Sequence, residues 1–293
     1  MKILVSGVTG FIGKHLVKRL LKEKYRVYAI VRPSTNFNIF DKNVKSYVFD
    51  NNTNDLISFM QKEKFDGVIH LASLFLAEHK PENVRELIDS NILFATYLLE
   101  ATVKSNIPWF INTGTFGQHY QSKKYSPISL YAATKQAFED MATYYIETSP
   151  INFVTIKLSD TFGPLDTRPK ILNLWHKISK TKETLDMSLG KQLIDISYID
   201  NIIDGYTQMI KLLSKDKKKK LNGKSFTIKA EKRVTLKKLA QIFEKVTKTK
   251  LNINWGKREY RQKEMMIPWT KGKNIPGWKP KISIEESIKK TFK

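Results

Sequence analysis

Tyr131 and Lys135 are the residues of this chain whose types and spacing point most directly to chemistry. Residues four positions apart on a helix share one face, so the phenol and the ammonium group would be neighbours. A tyrosine with its ordinary pKa near 10 is a poor acid or base at neutral pH. A nearby positive charge favours the phenolate and lowers that pKa. The pair therefore predicts a proton donor together with the group that tunes it.

A glycine turn near the amino terminus gives the second chemical signal. Gly7, Gly10 and Gly13 follow a short apolar run, residues 3–5, and precede an amphipathic segment, residues 14–24. A strand, a tight turn and a helix in this order present backbone N–H groups to a pyrophosphate at the helix N-terminus. The G-x-x-G-x-x-G spacing differs from the commonest dinucleotide fingerprint, but its place after a strand favours the same role. The predicted coenzyme contacts of this turn are Gly7, Thr9, Gly10, Phe11, Ile12 and Gly13.

The end of the second predicted strand bears on which dinucleotide is bound. NAD-binding folds place an acidic residue there, about 20 residues after the turn, to bond the ribose hydroxyls. This chain has Arg32 near that point and no acid. A guanidinium group pairs bidentately with phosphate, so we predict NADP, with NAD less favoured. An arginine that only caps the strand or stacks on adenine is the alternative. Asp50, after the third strand, is placed to meet the adenine amino group.

Two hydroxyl groups follow the fifth predicted strand. Thr113 and Thr115 flank Gly114, and side chains that leave a parallel strand at its carboxyl end point into the ligand cleft. One of these hydroxyls could hold a substrate oxygen while Tyr131 exchanges its proton. We favour Thr113 and keep Thr115 as the competitor; a Thr-Gly turn without a catalytic role is the plainer alternative.

Strands and helices alternate through the first half of the chain, which predicts a Rossmann-type doubly wound parallel sheet. The predicted strands are residues 3–5, 26–31, 46–49, 67–71, 109–112 and 153–158, and the predicted helices are 13–24, 55–64, 84–105 and 130–148.

A change of rhythm after about Pro164 predicts a smaller C-terminal α/β lobe that binds substrate. We expect a dinucleotide-binding domain over residues 1–165, to which 192–213 return, and a substrate lobe from 166–191 and 214–293. In the second half the predicted strands are 193–198, 225–228 and 251–255, and the predicted helices are 171–180, 199–213, 236–246 and 284–292. Ligand should lie between the lobes, at the carboxyl ends of the strands.

Composition narrows the class of protein. The 293 residues include no cysteine, which excludes disulfides and thiolate metal sites, and the five histidines show no metal-binding spacing. No run of about 18 apolar residues is present, and the first strand begins at Lys2, so we expect a cytoplasmic protein without a membrane span.

The net charge of +23 could indicate a polyanionic partner such as nucleic acid. The lysines are scattered along the chain, however, and the one dense run, 215–220, falls in a predicted loop. This pattern favours a solvated surface, and we predict no nucleic-acid partner.

These residues together resemble the extended short-chain dehydrogenase/reductases that act on nucleoside-diphosphate sugars. The resemblance runs almost end to end. It includes the glycine turn and a triad of Thr113, Tyr131 and Lys135. The other matching segments are 68–72, 90–101, 157–164, 192–200, Arg261 and 277–280.

The resemblance implies roles for further residues. It implies that Lys135 binds the nicotinamide ribose, and the other implied coenzyme contacts are Asn51, Leu71, Ala72, Ser73 and Asn91. The implied substrate contacts are Thr115, Lys157, Asp160 and Arg261, the last of these on the diphosphate. It also implies a homodimer that packs through helices 84–105 and 130–148.

Departures from the family pattern narrow the reaction that the sequence predicts. Dehydratases of this family place Asp-Glu directly after the catalytic threonine, whereas Gly114 and Thr115 occupy those places here, so 4,6-dehydration is disfavoured. Lys157 replaces a usual arginine, and Ile194 replaces another, which removes one expected diphosphate contact. Within the family, the chain most resembles the sugar-nucleotide 4-ketoreductases.

We therefore predict an NADPH-dependent reduction of the 4-keto group of a nucleoside-diphosphate 4-keto-6-deoxy sugar, in the biosynthesis of deoxysugars for surface polysaccharide such as lipopolysaccharide. A 4-epimerase that retains NAD is the enzymatic alternative, and Arg32 argues against it. A non-catalytic NADP-sensing or RNA-binding relative is the alternative of another class, and the Tyr131–Lys135 pair argues against it.

Overall fold

A computed structural model describes residues 1–36 and 41–293 of the chain. The strands are β1 (Lys2–Ser6), β2 (Arg26–Val31), β3 (Lys45–Val48), β4 (Gly67–His70), β5 (Trp109–Thr115), β6 (Asn152–Leu158), β7 (Asp160–Phe162), β8 (Leu185–Met187), β9 (Leu193–Ile194), β10 (Ile196–Tyr198), β11 (Lys224–Ile228), β12 (Val234–Thr235), β13 (Ile253–Trp255) and β14 (Lys273–Asn274).

The α-helices alternate with these strands. They are α1 (Phe11–Lys22), α2 (Thr53–Glu63), α3 (Asn83–Ile88), α4 (Phe94–Lys104), α5 (Leu130–Thr148), α6 (Ile171–Thr181), α7 (Ile199–Leu213), α8 (Leu236–Thr247) and α9 (Ile284–Phe292). Within the described residues no helix is both long enough and apolar enough to cross a membrane.

A parallel sheet organises the molecule, with the strand order β3-β2-β1-β4-β5-β6-β11-β14. The order reverses between β1 and β4, and ligands of doubly wound sheets bind in the crevice at the carboxyl ends of such strands. The predicted fold class is therefore confirmed. The domain division differs from the prediction at two strands: β11 and β14, both expected in the substrate lobe, lie in this sheet, with β11 beside β6 and β14 at the edge.

Both faces of the sheet are covered, which explains the continuous apolar runs of its inner strands. In β1, alternate side chains enter opposite cores: Ile3 and Val5 join the core beneath α1 and α7, and Leu4 joins the core beneath α2, α4 and α5. All three side chains are fully buried. The first core continues into the C-terminal lobe through Trp175 of α6 and Phe243 of α8.

Two elements depart from their predicted form. The predicted strand 193–198 is divided, because β9 pairs antiparallel with β12 whereas β10 pairs parallel with β7. The predicted helix 84–105 is interrupted by a π-helical turn, Asp89–Leu93, between α3 and α4. Such turns occur frequently at functional sites, and this one carries Asn91.

The turn between β1 and α1 packs too tightly for side chains at two positions. Gly7 has φ +74°, and a Cβ there would lie 2.5 Å from the backbone nitrogen of Ala72. A Cβ on Gly13 would lie 2.1 Å from the Gly7 carbonyl oxygen. A Cβ on Gly10 would approach only that same oxygen, at 3.2 Å, and otherwise face open space. The glycines thus bring α1 against the turn and leave room in front of it.

We expect Gly13→Ala to lower the free energy of unfolding by about 1–3 kcal/mol, since its methyl group forces α1 away from the turn. The higher helix propensity of alanine, about 1 kcal/mol, offsets part of this loss. Urea unfolding followed by circular dichroism measures the change. Gly10→Ala is the matched control and should lose less stability; equal losses in the two variants would contradict this packing.

Candidate active site

The start of α5 places Tyr131 and Lys135 at the carboxyl edge of the sheet. Ser129 caps the helix, with its Oγ accepting from the Ala132 N–H at 3.3 Å. Lys135 is 1% exposed, and Tyr131 is half-buried beneath Phe75, whose ring packs edge-on at 5.0 Å between centroids. The two side chains emerge one helical turn apart, as their spacing predicts.

Burial governs the protonation of this pair. It lowers the pKa of Lys135 to about 8, although Glu139 on the next turn acts in the opposite direction. Burial also raises the pKa of Tyr131, while a hydrogen bond donated by Ser73 would act against that shift. The predicted net lowering of the Tyr131 pKa is thus wrong, because desolvation of the phenolate is the largest effect. A protonated phenol at neutral pH is suited to donate a proton.

Thr113 and Thr115 both lie at the carboxyl end of β5, and their hydroxyls have different partners. Thr113 Oγ1 is 2.6 Å from the hydroxyl of the fully buried Tyr206 on α7. Thr115 Oγ1 accepts from the Gly117 N–H at 3.1 Å. In the described part of the chain, the Thr115 hydroxyl hydrogen has no acceptor, so it is available to a ligand oxygen.

The residues of the glycine turn fit a dinucleotide. Gly10 precedes α1 in an extended conformation, no side chain within the described residues caps the helix, and its first turn contains no acid. Its leading N–H groups are therefore available to an anion. The open space in front of Gly10, which a Cβ would enter, is where a pyrophosphate needs to approach the backbone.

Arg32 and Asp50 follow neighbouring strands at the same edge of the sheet. Arg32 comes directly after β2 and is exposed, and its side chain forms no ion pair within residues 1–36 and 41–293. Asp50 is also exposed, with Oδ1 accepting from the Asn52 N–H at 3.1 Å. Asn51 follows Asp50 directly, in a left-handed conformation with φ +74°. β2 and β3 pair in register, so these residues lie around one end of the crevice.

The loop after β4 lies beside the glycine turn, because β1 and β4 are neighbouring strands. Leu71 and Ala72 are half-buried, Ser73 is exposed, and the Ala72 N–H donates to Ser6 Oγ at 3.2 Å. Asn91 behaves differently from the prediction: it is fully buried and its amide bonds only to protein groups of this loop and of α5. It supports the loop from behind.

The predicted substrate contacts Lys157 and Asp160 differ in their exposure to solvent. Lys157 is 4% exposed, and its ammonium group lies 3.1 Å from Glu139 Oε2 and 3.0 Å from His119 Nε2. The predicted substrate contact of Lys157 is therefore not supported, because buried partners hold its charge. Asp160 is exposed and pairs with Lys170 at 3.1 Å.

Arg261, the predicted diphosphate contact, forms an exposed pair with Glu78 at 3.1 Å. Exposed pairs of this kind contribute little stability, so a ligand phosphate could replace the carboxylate. Glu78 follows β4 and Arg261 follows β13, so the pair joins the edge of the crevice to the C-terminal lobe.

A buried network beneath the site was not predicted. The Gln118 amide donates to Glu139 Oε1 at 2.9 Å, and the His119 ring stacks on Trp269 at 3.9 Å between centroids. Burial, helped by the Lys157 charge, lowers the pKa of His119 to about 4. Glu139 lies four residues after Lys135, a spacing visible in the sequence, whereas the contact with Trp269 depends on tertiary structure.

Among the described residues, no group of three or more acidic, histidine or cysteine side chains could hold a metal ion. His70 is fully buried, with Nδ1 2.8 Å from Ser6 Oγ.

Comparison with known proteins identifies the class. The chain belongs to the NAD dependent epimerase/dehydratase family, whose model matches residues 3–222. It is an oxidoreductase-type enzyme that modifies nucleotide sugars. CDP-abequose synthase of Salmonella muenchen is 28% identical over 99% of this chain and 96% of its own length. UDP-glucuronate 4-epimerase of Thermodesulfobacterium geofontis is 27% identical over 98% and 94%.

Solved structures agree on the fold. UDP-glucose 4-epimerase of Thermotoga maritima superposes with a TM-score of 0.84 at 20% identity, covering 100% of this chain and 97% of its own. UDP-glucuronic acid 4-epimerase of Bacillus cereus, solved with UDP-glucuronic acid and NAD, gives 0.81 at 23% identity, covering 100% and 98%.

We expect Glu139→Gln to lower the free energy of unfolding by about 3–5 kcal/mol, because it leaves the Lys157 charge buried and uncompensated. Adding Lys157→Met should restore part of the loss, measured by urea unfolding. Glu286→Gln removes the same charge from the exposed pair with Lys290 and should cost under about 0.5 kcal/mol. A loss from Glu139→Gln no larger than this control would contradict the buried pair.

Proposed function

We propose that this enzyme reduces the 4-keto group of a nucleoside-diphosphate 4-keto-6-deoxy sugar with NADPH. The observation that carries the proposal is the half-buried phenol of Tyr131 with the buried Lys135 one helical turn away, at the crevice that the glycine turn borders. A phenol that keeps its proton until a carbonyl oxygen gains charge is what a ketone reduction requires of the protein.

The bound coenzyme would supply the hydride to sugar C4. Tyr131 donates its proton to the carbonyl oxygen of the substrate. Lys135 holds the nicotinamide ribose and stabilises the phenolate that proton donation leaves. A threonine hydroxyl orients the same carbonyl oxygen; the contacts favour Thr115, because Thr113 is already bonded to Tyr206.

Groups at the crevice would bind the phosphates of the coenzyme and of the substrate. The N-terminus of α1 would hold the coenzyme pyrophosphate, and Arg32 its 2′-phosphate. Arg261 would exchange Glu78 for the substrate diphosphate. Asp160, exposed beside Lys170, remains a proposed substrate contact.

A 4-epimerase with a retained NAD is the second candidate. Relatives and structural neighbours that carry the name of 4-epimerases favour it, because epimerisation and ketone reduction can use the same tyrosine and lysine. The exposed Arg32, with no acid in its place, favours NADPH and therefore reduction.

A homodimer is proposed through α3, α4 and α5. Large apolar side chains are exposed on these helices and on the π turn: Val84, Ile88, Leu93, Met141 and Tyr144. A second copy would cover them. We further propose that the sheet with its coenzyme crevice and the C-terminal lobe are the two functional units, as the sequence predicts. The cytoplasmic location and the part in polysaccharide biosynthesis stay predictions.

We expect NADPH consumption with at least one member of a panel of 4-keto-6-deoxy sugar nucleotides, and a loss of about 10²- to 10⁴-fold in kcat for Tyr131→Phe, because the general acid is removed. Tyr125→Phe, an exposed tyrosine before α5, is the control and should retain activity. Substantial turnover by Tyr131→Phe would remove the catalytic assignment. Interconversion of 4-hydroxy epimers without net NADPH consumption would establish the epimerase instead.

We expect Arg32→Gln to weaken NADPH binding by about 10- to 100-fold, the effect of losing a charge-assisted hydrogen-bonded pair, and to leave NADH binding nearly unchanged. Quenching of coenzyme fluorescence on titration measures both affinities. Arg26→Gln, at the opposite end of β2, is the control and should change neither. Equal losses for the two coenzymes would exclude a 2′-phosphate contact.

A further inference from the structure

A cavity lies at the amino edge of the parallel sheet, where the strands begin. Trp109 begins β5 and Asn152 begins β6, and both line this amino-edge cavity of about 440 Å³. Small-molecule sites commonly enclose about 300–1,000 Å³. The other lining residues that bear on its chemistry are Asp66, Pro108, Pro150, Leu213, Lys217 and Lys219. The crevice lies at the opposite ends of the same strands, so the cavity is a separate space.

Trp109 forms one wall of the amino-edge cavity and carries a hydrogen-bond donor without a partner. The residue is 2% exposed, and its ring packs so closely on Gly67 that a Cβ there would lie 2.1 Å from it. Its indole N–H meets no acceptor within the described residues, whereas those of the buried Trp175 and Trp278 each have one. The nitrogen is not fully enclosed by protein. Buried indole N–H groups usually have a partner, so this donor is available to a ligand.

Asp66 brings a hydrogen-bond acceptor close to this donor. The β4–β5 register, extended by two residues, places Asp66 opposite Pro108 and therefore next to Trp109. Neighbouring strands are about 4.8 Å apart. Asp66 is exposed, and in the part of the chain that the structure describes only its Oδ2 accepts a hydrogen bond, from the Lys2 N–H at 2.6 Å. A donor and an acceptor thus lie at neighbouring strand ends.

The loop after α7 supplies positive charge to the amino-edge cavity. Lys217 and Lys219 line the cavity and are exposed, and neither forms an ion pair with a described residue. Asp216, an acid of the same loop, also lines the cavity. Its carboxylate accepts from the Asn152 side chain at 3.1 Å and from two backbone N–H groups of the loop at 2.9 and 2.8 Å. These bonds occupy Asp216, so the two ammonium groups remain available to an anion.

The lining groups define the chemistry of a ligand. Two ammonium groups require an anion and suit a phosphate. The adjacent indole N–H and carboxylate match a ring that presents an acceptor beside an amino group, as cytosine and adenine do. Pro108, Pro150 and Leu213 provide apolar surface for such a ring. An acyl chain would instead leave the indole N–H and the carboxylate without partners, which costs free energy.

We propose that the amino-edge cavity is a second binding site, and that its ligand is a nucleotide with an amino-bearing base. The phosphate pairs with Lys217 and Lys219. The base accepts from the Trp109 N–H and donates its amino group to Asp66. The crevice takes no part in this binding, so the site stands whether or not the enzyme reduces a keto sugar.

Fluorine NMR of the full chain labelled with 5-fluorotryptophan tests the proposal. The chain has five tryptophans, and Trp109→Phe assigns the Trp109 resonance. Cytidine 5′-monophosphate should shift this resonance saturably, whereas binding in the crevice, at the other end of β5, should not. Uridine 5′-monophosphate has a carbonyl in place of the amino group and should bind about 3- to 10-fold more weakly, the effect of one lost hydrogen bond.

Alternate lysines of one loop provide a matched pair of variants. Lys217→Gln combined with Lys219→Gln removes both ammonium groups that line the cavity, and should weaken binding of cytidine 5′-monophosphate by about 5- to 30-fold. Lys218→Gln combined with Lys220→Gln removes the same charge from exposed residues of the loop that do not line the cavity. This control should weaken binding by less than about 2-fold, because solvent and salt screen the more distant charges.

Three results would overturn the proposal. A Trp109 resonance that does not move at millimolar cytidine 5′-monophosphate would show that the cavity is not a nucleotide site. Equal losses in the two double variants would show attraction to the overall positive charge alone. Binding of uridine 5′-monophosphate, inorganic phosphate or decyl phosphate as tight as that of cytidine 5′-monophosphate would show that the base is not recognised.

Discussion

The site depends on the burial of a positive charge. The Lys135 side chain is almost completely removed from water, which costs free energy and lowers its pKa to about 8. Glu139 on the next turn compensates part of that cost. Because Glu139 is itself paired with the buried Lys157, a buried ion pair connects α5 to β6 of the sheet.

The strand order of the parallel sheet determines which loops lie near Lys135. Its strand order reverses between β1 and β4, and the loops that follow these neighbouring strands lie side by side at the carboxyl edge of the sheet. Gly7 and Ala72 are in such close contact that a Cβ on Gly7 would lie 2.5 Å from the Ala72 backbone nitrogen. The same loop carries Ser73, which Asn91 connects to α5. One short segment thus contacts both the glycine turn and, through Asn91, α5.

The C-terminal lobe is joined to the site by a partly buried aromatic contact. His119, between β5 and α5, stacks on Trp269 of the lobe and bonds to Lys157. Its lowered pKa keeps the ring neutral at physiological pH, so it accepts from the lysine without a second positive charge. The segment around Trp269 is held further by Arg233, whose guanidinium group donates to the Trp269 carbonyl and to Asp195.

The sequence by itself determined the fold class, the glycine turn and the Tyr131–Lys135 pair, because these are written in local periodicity and spacing. It also placed Arg32 and Asp50 at one sheet edge, since parallel strands end together. Only the tertiary structure decided that Lys157 is buried, that Asn91 lies behind the crevice, and that β11 joins the main sheet. Those outcomes depend on which residues, distant in the sequence, come into contact in the fold. Burial at such contacts raises the pKa of Tyr131, and the spacing of residues in the sequence does not reveal that burial.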